Sequence, residues 1–319
     1  MSFSSKAKNE LVRKMCEDNC CQMAEVSALL RMSGTLQLAG RNKINISVTT
    51  ENPAIARLIF KLFKQVFHVN TEVMVKKNKV LKKTNTYVIK IIDASNILEE
   101  LGIISFENDR FGIEYKLPYK LLEKECCKRA YLRGAFLGGG SVSDPEKAYH
   151  LELVTHNEEY SNALLELINE GYNLNGKIIT RKNNYVIYLK EGNQIVDLLN
   201  IIGAHNALMK FENIRILKQM RNNVNRIVNC ETANLSKIVE ASIRQINNIE
   251  YIESTIGLKA LPNNLREIAE LRMNYKDASL KELGEMLTPV VGKSGINHRL
   301  RKIEKIADQI RSKGDSKSD

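Results

Sequence analysis

Apolar and polar positions along the first 203 residues follow the same order of spacings twice. In each series, period-two alternation predicts a strand, and a helix-period segment, a pair of strands and a short apolar helix follow. The predicted elements are 44–50, 53–67, 71–75, 87–92 and a helix ending at 101 in the first series, and 151–155, 158–169, 177–181, 185–189 and a helix ending at 202 in the second. The pattern therefore predicts a duplicated α/β unit.

A repeated segment precedes each series. The pair Cys20-Cys21 opens the first copy, and Cys126-Cys127 opens the second, 106 positions later. Residues four apart share a helix face, and small residues there allow two helix axes to approach closely. Both copies carry such residues at this spacing: Ala24, Ala28, Ala130, Gly134 and Gly138. We therefore expect the two repeated segments to form helices that pack against each other.

The second copy contains Leu-Arg-Gly-Ala-Phe-Leu-Gly-Gly-Gly-Ser-Val at 132–142, which resembles the LAGLIDADG motif of homing endonucleases. In that family two such helices pack together, and each delivers a metal-binding acid from the position before the closing glycine. Here those positions hold Ser33 and Gly139. The resemblance therefore implies a nuclease scaffold without its carboxylates, and we expect neither a catalytic residue nor a metal ion there.

The composition narrows the setting of the protein. No run of about 18 uninterrupted apolar residues occurs, which excludes a membrane span, and the first residues lack the apolar core of a signal peptide. We therefore expect a cytoplasmic protein with reduced cysteines. The six cysteines form no CxxC pair and have no histidine at ligand spacing, which disfavours a metal site. We expect the two adjacent Cys-Cys pairs to fill small buried sites beside the paired helices instead. No cofactor is expected.

The formal net charge of +11 favours a polyanionic partner. The excess is not confined to a tail, because residues 1–221 carry 32 Lys and Arg against 24 Asp and Glu, and residues 222–319 carry 16 against 13. One predicted hairpin loop concentrates basic residues that are candidates for phosphate contacts: Lys76, Lys77, Lys79, Lys82 and Lys83. A solvated hairpin tip explains the same cluster equally well.

After residue 214 the spacing of apolar positions predicts helices only, at 217–228, 235–256 and 265–273. The segment from Ser279 to Glu282 has the form of a capping box and begins a short helix that ends near Leu287. A last helix is predicted at 294–310. A short helix, a turn and a longer basic helix are typical of a helix-turn-helix DNA reader.

The last predicted helix has an apolar stripe and an opposite polar surface. Arginine can bond guanine and asparagine can bond adenine, whereas lysine mostly meets phosphate. The candidate DNA-binding residues are Lys293, Ser294, Asn297, His298, Arg299, Arg301, Lys302 and Lys305. A basic amphipathic helix on an ordinary protein surface is the alternative interpretation, and spacing alone favours DNA only modestly.

Four segments, 225–234, 261–272, 277–285 and 293–303, resemble the signature of the WhiA family, and so do the two degenerate motifs. This resemblance covers essentially the whole chain. It implies a bacterial DNA-binding protein in which a degenerate endonuclease scaffold is fused to a helix-turn-helix. Members of the family are associated with sporulation-linked transcription in actinobacteria, and with cell division or chromosome segregation in other Gram-positive bacteria.

These observations predict an α/β (α+β) protein with tandem αββαββα repeats at 1–118 and 119–221 and an all-α helix-turn-helix domain at 222–319. The expected function is sequence-specific binding of double-stranded DNA by a nucleoid-associated regulator, with RNA polymerase or other transcription factors as candidate protein partners. One alternative is a protein-interaction scaffold with weak DNA binding. The other is an active homing endonuclease, which Asp144 and Glu25 do not favour because neither suits the ligand position.

Overall fold

The computed structural model describes residues 1–40, 43–77, 85–107 and 110–315. They form two compact units, Met1–Gln219 and Met220–Asp319. The first unit begins with α1 (Phe3–Arg13). The first repeat and the hairpin after it consist of α2 (Asn19–Ser33), β1 (Gly34–Gly40), β2 (Lys43–Thr50), α3 (Pro53–Val66), β3 (Glu72–Lys77), β4 (Asn85–Ile91), α4 (Ser95–Glu100), β5 (Ile104–Glu107) and β6 (Arg110–Ile113).

The second repeat follows with the same order of elements. It consists of α5 (Glu125–Gly139), β7 (Gly140–Val142), β8 (Leu151–Thr155), α6 (Glu158–Tyr172), β9 (Lys177–Arg181), β10 (Asn184–Leu189) and α7 (Gly192–Ile202). A long helix, α8 (His205–Thr255), comes next. The predicted succession αββαββα is therefore confirmed in both repeats.

Each repeat builds one four-stranded antiparallel sheet with the same strand order, β1-β2-β4-β3 in the first and β7-β8-β10-β9 in the second. Val48 faces Ile89 across the first sheet, and Leu153 faces Ile187 at the matching place in the second. All four side chains are almost fully buried. The helices α3 and α6 pack on their own sheets, so apolar alternation in the strands is what fixes each sheet onto its helix.

Helices α2 and α5 form the contact between the two repeats. Ala24, Ala28 and Ala130 are at most 1% exposed. A Cβ atom at Gly134 would lie 2.2 Å from the carbonyl oxygen of Glu25, so only glycine permits this approach of the two backbones. The helix contact predicted from the spacing of small residues is confirmed.

The hairpin of β5 and β6 lies between the repeats and was absent from the sequence-based prediction. Each strand has only four residues, too few for period-two alternation to stand out. Arg31 ties α2 to this region because its guanidinium donates hydrogen bonds to the carbonyl oxygens of Gly102 and Glu114. The hairpin thus belongs to the surroundings of the paired helices.

The second unit contains helices only among its described residues. After α8 come α9 (Asn263–Asn274), α10 (Leu280–Glu285) and α11 (Lys293–Asp315). The prediction of separate helices at 217–228 and 235–256 is wrong, because α8 continues through both. The polar run between them has no glycine or proline to stop a helix, and Gly257, with φ of 79°, is where the helix ends.

A small apolar core holds the second unit together. Its fully buried side chains come from all four helical segments: Ile249, Ile252, Ile268, Leu283, Ile296 and Ile303. The last turns of α8 therefore pack in the same core as α11. None of the described helices combines the length and apolarity that crossing a lipid bilayer requires.

Candidate nucleic-acid interface

The ends of the paired helices carry no acid at the two positions that resemble the LAGLIDADG motif. The hydroxyl of Ser33 donates a hydrogen bond to the carbonyl oxygen of Leu29 at 2.8 Å, within its own helix. A Cβ at Gly139 would meet the Met32 side chain at 2.5 Å and the Val154 carbonyl oxygen at 2.6 Å. The backbone at this position is therefore packed too tightly to accept a carboxylate side chain without a shift.

The two acids considered as substitutes have other partners. Glu25 lies between α2 and α5, where Arg133 donates a hydrogen bond to its carboxylate at 2.7 Å. Burial raises the pKa of Glu25, and Arg133 opposes that rise. The Asp144 carboxylate accepts a hydrogen bond from the backbone N–H of Glu146 in a turn. Each of the two carboxylates is therefore held by a partner of its own.

One acid near the helix ends escaped the sequence analysis. Glu152 on β8 accepts a hydrogen bond from the hydroxyl of Ser141 at 3.0 Å, and His150 lies 3.4 Å from its other oxygen. Ser141 follows the closing glycine of the second motif, so the pairing of β7 with β8 brings the two together. The sequence does not show this contact because a loop separates β7 from β8, and only the register of the two strands places Ser141 opposite Glu152.

A capping box begins the short helix of the helix-turn-helix, as predicted. The Ser279 hydroxyl accepts from the backbone N–H of Glu282, and the Glu282 carboxylate accepts from the backbone N–H of Ser279. The hydrogen bond from the Ser279 backbone N–H to the carboxylate lowers the pKa of Glu282. At the other end of α10, a Cβ at Gly284 would lie 2.0 Å from the Val291 carbonyl oxygen, so glycine is required for the turn to return so closely.

Helix α11 has the two faces that the sequence predicts. Its stripe of Ile296, Leu300, Ile303 and Ala307 is at most 2% exposed. The opposite face has six exposed candidates for DNA binding, namely Lys293, Ser294, His298, Arg301, Lys302 and Lys305. The helix therefore presents four exposed cationic side chains on this face, those of Lys293, Arg301, Lys302 and Lys305.

Asn297 and Arg299 are half-buried at the edges of this surface. Arg299 donates a hydrogen bond to the carbonyl oxygen of Asn264 at 3.4 Å, a contact within the unit. No acidic side chain in the described ranges forms an ion pair with Arg301, Lys302 or Lys305. These three cations are consequently available to an external anion.

Two arginines that the sequence analysis did not single out position this unit. Arg311 donates a hydrogen bond to the Asn248 side chain at 2.9 Å and lies 4.7 Å from the Tyr251 ring centre, which fastens α11 to α8. Arg272 is buried and donates to the Ala278 carbonyl oxygen at 2.6 Å, just before α10. Burial lowers the pKa of Arg272. Nothing in their spacing marks these arginines as structural.

The proposed phosphate contacts in the first repeat are only partly described. Lys76 and Lys77 are exposed at the end of β3, a strand whose residues are all exposed. Lys79, Lys82 and Lys83 lie outside the described residues. The sequence predicts a loop at Lys76 and Lys77. They are instead the last two residues of an edge strand.

The cysteine pairs that open α2 and α5 come together. We call Cys20, Cys21, Cys126 and Cys127 the four-cysteine cluster, and their sulfur atoms all lie within 4.8 Å of one another. The expectation of small buried sites holds for Cys21 and Cys127 only, since Cys20 is half-buried and Cys126 is exposed. Burial raises the pKa of Cys21 and raises that of Cys127 to about 12.

The fold and the terminal module define a protein with two LAGLIDADG-like repeats followed by a helix-turn-helix domain. Three family descriptions match the chain: WhiA N-terminal LAGLIDADG-like domain at 19–104, WhiA LAGLIDADG-like domain at 128–221, and WhiA C-terminal HTH domain at 224–307. The chain belongs to the WhiA family.

Relatives of similar length support this assignment. A protein of Alkaliphilus metalliredigens named "Probable cell division protein WhiA" is 62% identical over 98% of this chain and 99% of its own length. Another of the same name from Alkaliphilus oremlandii is 61% identical over 97% and 98%. The crystal structure of full-length WhiA from Thermatoga maritima matches with a TM-score of 0.61 and 28% identity, over 97% of this chain and 99% of that one.

Proposed function

We propose that this chain is a sequence-specific DNA-binding regulator that reads double-stranded DNA through α11 and does not cleave it. The observation that carries the proposal is the face of α11. Its apolar stripe is buried in the second unit, while Arg301, Lys302 and Lys305 face outward without ion pairs among the described residues. A helix fixed in this way can enter a major groove with its polar face toward the bases.

The polar side chains of α11 have different proposed roles. Asn297 and Arg301 are one helical turn apart, and their amide and guanidinium groups can bond base edges. Lysine cations mostly meet phosphate and hold the helix in register. The proposed phosphate and flanking contacts are Lys293, Ser294, His298, Arg299, Lys302 and Lys305.

The relatives' names support a role in cell division. The proposal adds that the chain is nucleoid-associated and regulates transcription, with RNA polymerase or other transcription factors as partners. We divide the chain for this purpose at 1–118, 119–221 and 222–319. In this scheme the two repeats add phosphate contacts or bind a protein, and the last segment reads the DNA sequence.

Alanine at Asn297 or at Arg301 is expected to weaken specific DNA binding by roughly 1–3 kcal/mol, because each substitution removes a bidentate contact to a base. The measurement is a titration of the full chain at constant salt with its preferred duplex and with a scrambled duplex. Binding to the scrambled duplex is expected to change much less, since phosphate contacts dominate there.

Arg226→Ala is a control for the loss of one cation, because Arg226 is exposed on α8. It is expected to leave the ratio between the two duplexes unchanged. If Asn297→Ala and Arg301→Ala also leave that ratio unchanged, α11 does not read bases. The protein-interaction scaffold would then be the better account.

Incubation of the full chain with Mg²⁺ and varied duplexes is expected to leave every strand intact. Hydrolysis by a LAGLIDADG-type scaffold needs carboxylates that hold the metal beside the scissile phosphate, and Ser33 and Gly139 occupy those positions. Denaturing gels with end-labelled DNA measure this. Specific cutting that copurifies with the chain, and disappears when the chain is removed with a specific antibody, contradicts the proposal.

Replacing Lys76 and Lys77 together with glutamine tests contact between the first repeat and DNA. If each lysine neutralises one phosphate, the slope of log affinity against log salt should become shallower by about 1.8, from roughly 0.9 per contact. The variant Lys116→Gln with Lys120→Gln is a matched control, because both lysines are exposed elsewhere in the same unit. An unchanged slope would remove β3 from the DNA interface.

A further inference from the structure

The four-cysteine cluster has the composition and compactness of a metal site. Its members come from the first turns of two helices, with two adjacent cysteines from α2 and two from α5. All four sulfur atoms lie within 4.8 Å of one another. Each thiol therefore lies close to the other thiol of its own helix and to both thiols of the other helix.

We propose that the four-cysteine cluster binds a single soft divalent cation, with Zn²⁺ as the best match, and that the ion joins the first turns of α2 and α5. Structural zinc is typically held by four tetrahedral ligands, with thiolate sulfurs at about 2.3 Å, which places the sulfurs about 3.8 Å apart. All sulfur separations in the cluster are within 4.8 Å. The cluster is therefore about 1 Å wider at most than the spacing that four thiolates adopt around zinc.

The compactness of the cluster favours a single metal ion over an iron–sulfur cluster or a pair of disulfides. An iron–sulfur cluster places several irons and bridging sulfides between its cysteines, so its thiolates are spread more widely than around a single ion. Disulfide formation would need an oxidant and would pair the sulfurs at about 2.0 Å. The grouping of all four sulfurs within 4.8 Å of one another fits one central ion better than two separate bonds.

A metal ion in the cluster would leave the site with a net negative charge. Four thiolates around Zn²⁺ carry a net charge of −2, and their four protons leave to solvent when the metal binds. The backbone N–H groups of Cys21 and Cys127 donate to the carbonyl oxygens of Asp18 and Lys124. The positive ends of the two helix dipoles nevertheless favour negative charge at these first turns.

The position of the cluster indicates its role. The two cysteine pairs stand at matching points of the repeats, each in the first turn of its helix. They lie at the first turns of these helices, whereas Ser33 and Gly139 lie at the last. A metal there would fasten the repeats at the end remote from the degenerate nuclease position. This inference concerns stability of the first unit and does not depend on DNA binding.

The test is the metal content of the full chain, expressed with zinc in the medium, purified under reducing conditions and dialysed. We expect about one zinc per chain. Replacing zinc with Co²⁺ should produce the sulfur-to-cobalt charge-transfer band and the intense visible bands of tetrahedral thiolate coordination. The cobalt spectrum needs no variant, so it stays informative if a cysteine variant does not fold.

The double variant Cys126→Ser with Cys127→Ser should hold at least tenfold less zinc. A chelator should lower the thermal unfolding midpoint of the wild-type chain and leave that of the double variant unchanged. The control is Cys230→Ser, because Cys230 is exposed on α8 and outside the cluster. It should keep the metal. A wild-type chain without zinc and without the thiolate bands of cobalt overturns the inference. So does a double variant that folds and retains the metal, or a reduced preparation in which these cysteines form disulfides.

Discussion

Replacing Arg133 with methionine is expected to destabilise the first unit by about 3–5 kcal/mol, because it leaves the Glu25 carboxylate buried without its cation. The carboxylate is 2% exposed, and the bond from Arg133 is 2.7 Å long. Urea unfolding measures the loss. Hydrogen exchange at the amides of α2 and α5 locates it in the helix pair.

The stability of the Arg133→Met variant should depend on pH. Burial raises the pKa of Glu25 and Arg133 opposes that rise, so the pKa in the folded variant should be higher still. The folded state then binds more protons than the unfolded chain, and stability falls as the pH rises through the raised pKa. The loss should therefore be largest at neutral pH and smaller in acid.

Arg57→Met is the matched control for this substitution. Arg57 is exposed on α3, and the change should alter the unfolding free energy by less than about 0.5 kcal/mol. The double variant Glu25→Gln with Arg133→Met should recover part of the stability, since an amide is less costly to bury than a charge. If Arg133→Met behaves like Arg57→Met, the ion pair does not stabilise the contact between the repeats.

Alanine at Gly134 is expected to destabilise the first unit by about 3 kcal/mol. The added Cβ would lie 2.2 Å from the Glu25 carbonyl oxygen, and a backbone atom cannot rotate away as a side chain can. The two helices would have to separate, and contacts along the whole seam would weaken. Urea unfolding of the full chain measures the change.

Gly171→Ala provides the comparison, because Gly171 lies in helix α6 and its added Cβ would meet only a Leu167 side-chain carbon at 3.5 Å. That substitution should be neutral or stabilise by about 0.5–1 kcal/mol, as alanine favours a helix over glycine. Equal effects of the two substitutions would mean that the close approach of α2 and α5 is not what requires Gly134.

The sequence predicts the repeats well because their signals are local and periodic. The strands at 151–155 and 177–181 are found with the predicted bounds, and in the first of them alternate apolar residues are buried on one face. The helix pair was predictable for a different reason. Small residues four apart, such as Ala24 and Ala28, lie on one helix face, and they predicted that another helix backbone approaches that face closely.

Other features depend on contacts between distant segments, which spacing does not show. Cys20 and Cys126 are far apart in the chain, so the four-cysteine cluster has no CxxC signature and appears only when α2 and α5 pair. The continuity of α8 was missed because an exposed polar run is equally compatible with a loop. The partners of Arg133 and Arg311 likewise depend on tertiary packing.

The proposed recognition face of α11 depends both on local spacing and on tertiary packing. Its apolar stripe and basic surface were predicted from helical spacing, and the burial of Ile296 and Leu300 confirms that the stripe faces the core. That Asn297 and Arg301 contact base edges is a proposal. It rests on this orientation of the helix and on the chemistry of the two side chains.

The most direct test maps the bound sites of the full chain across the genome by crosslinking and immunoprecipitation. The wild-type chain is compared with the variant Asn297→Ala with Arg301→Ala at equal protein levels. The account predicts discrete wild-type sites that share a sequence, and their loss in the variant while weak general binding persists. An unchanged set of sites in the variant, with unchanged occupancy, would contradict reading of DNA by α11.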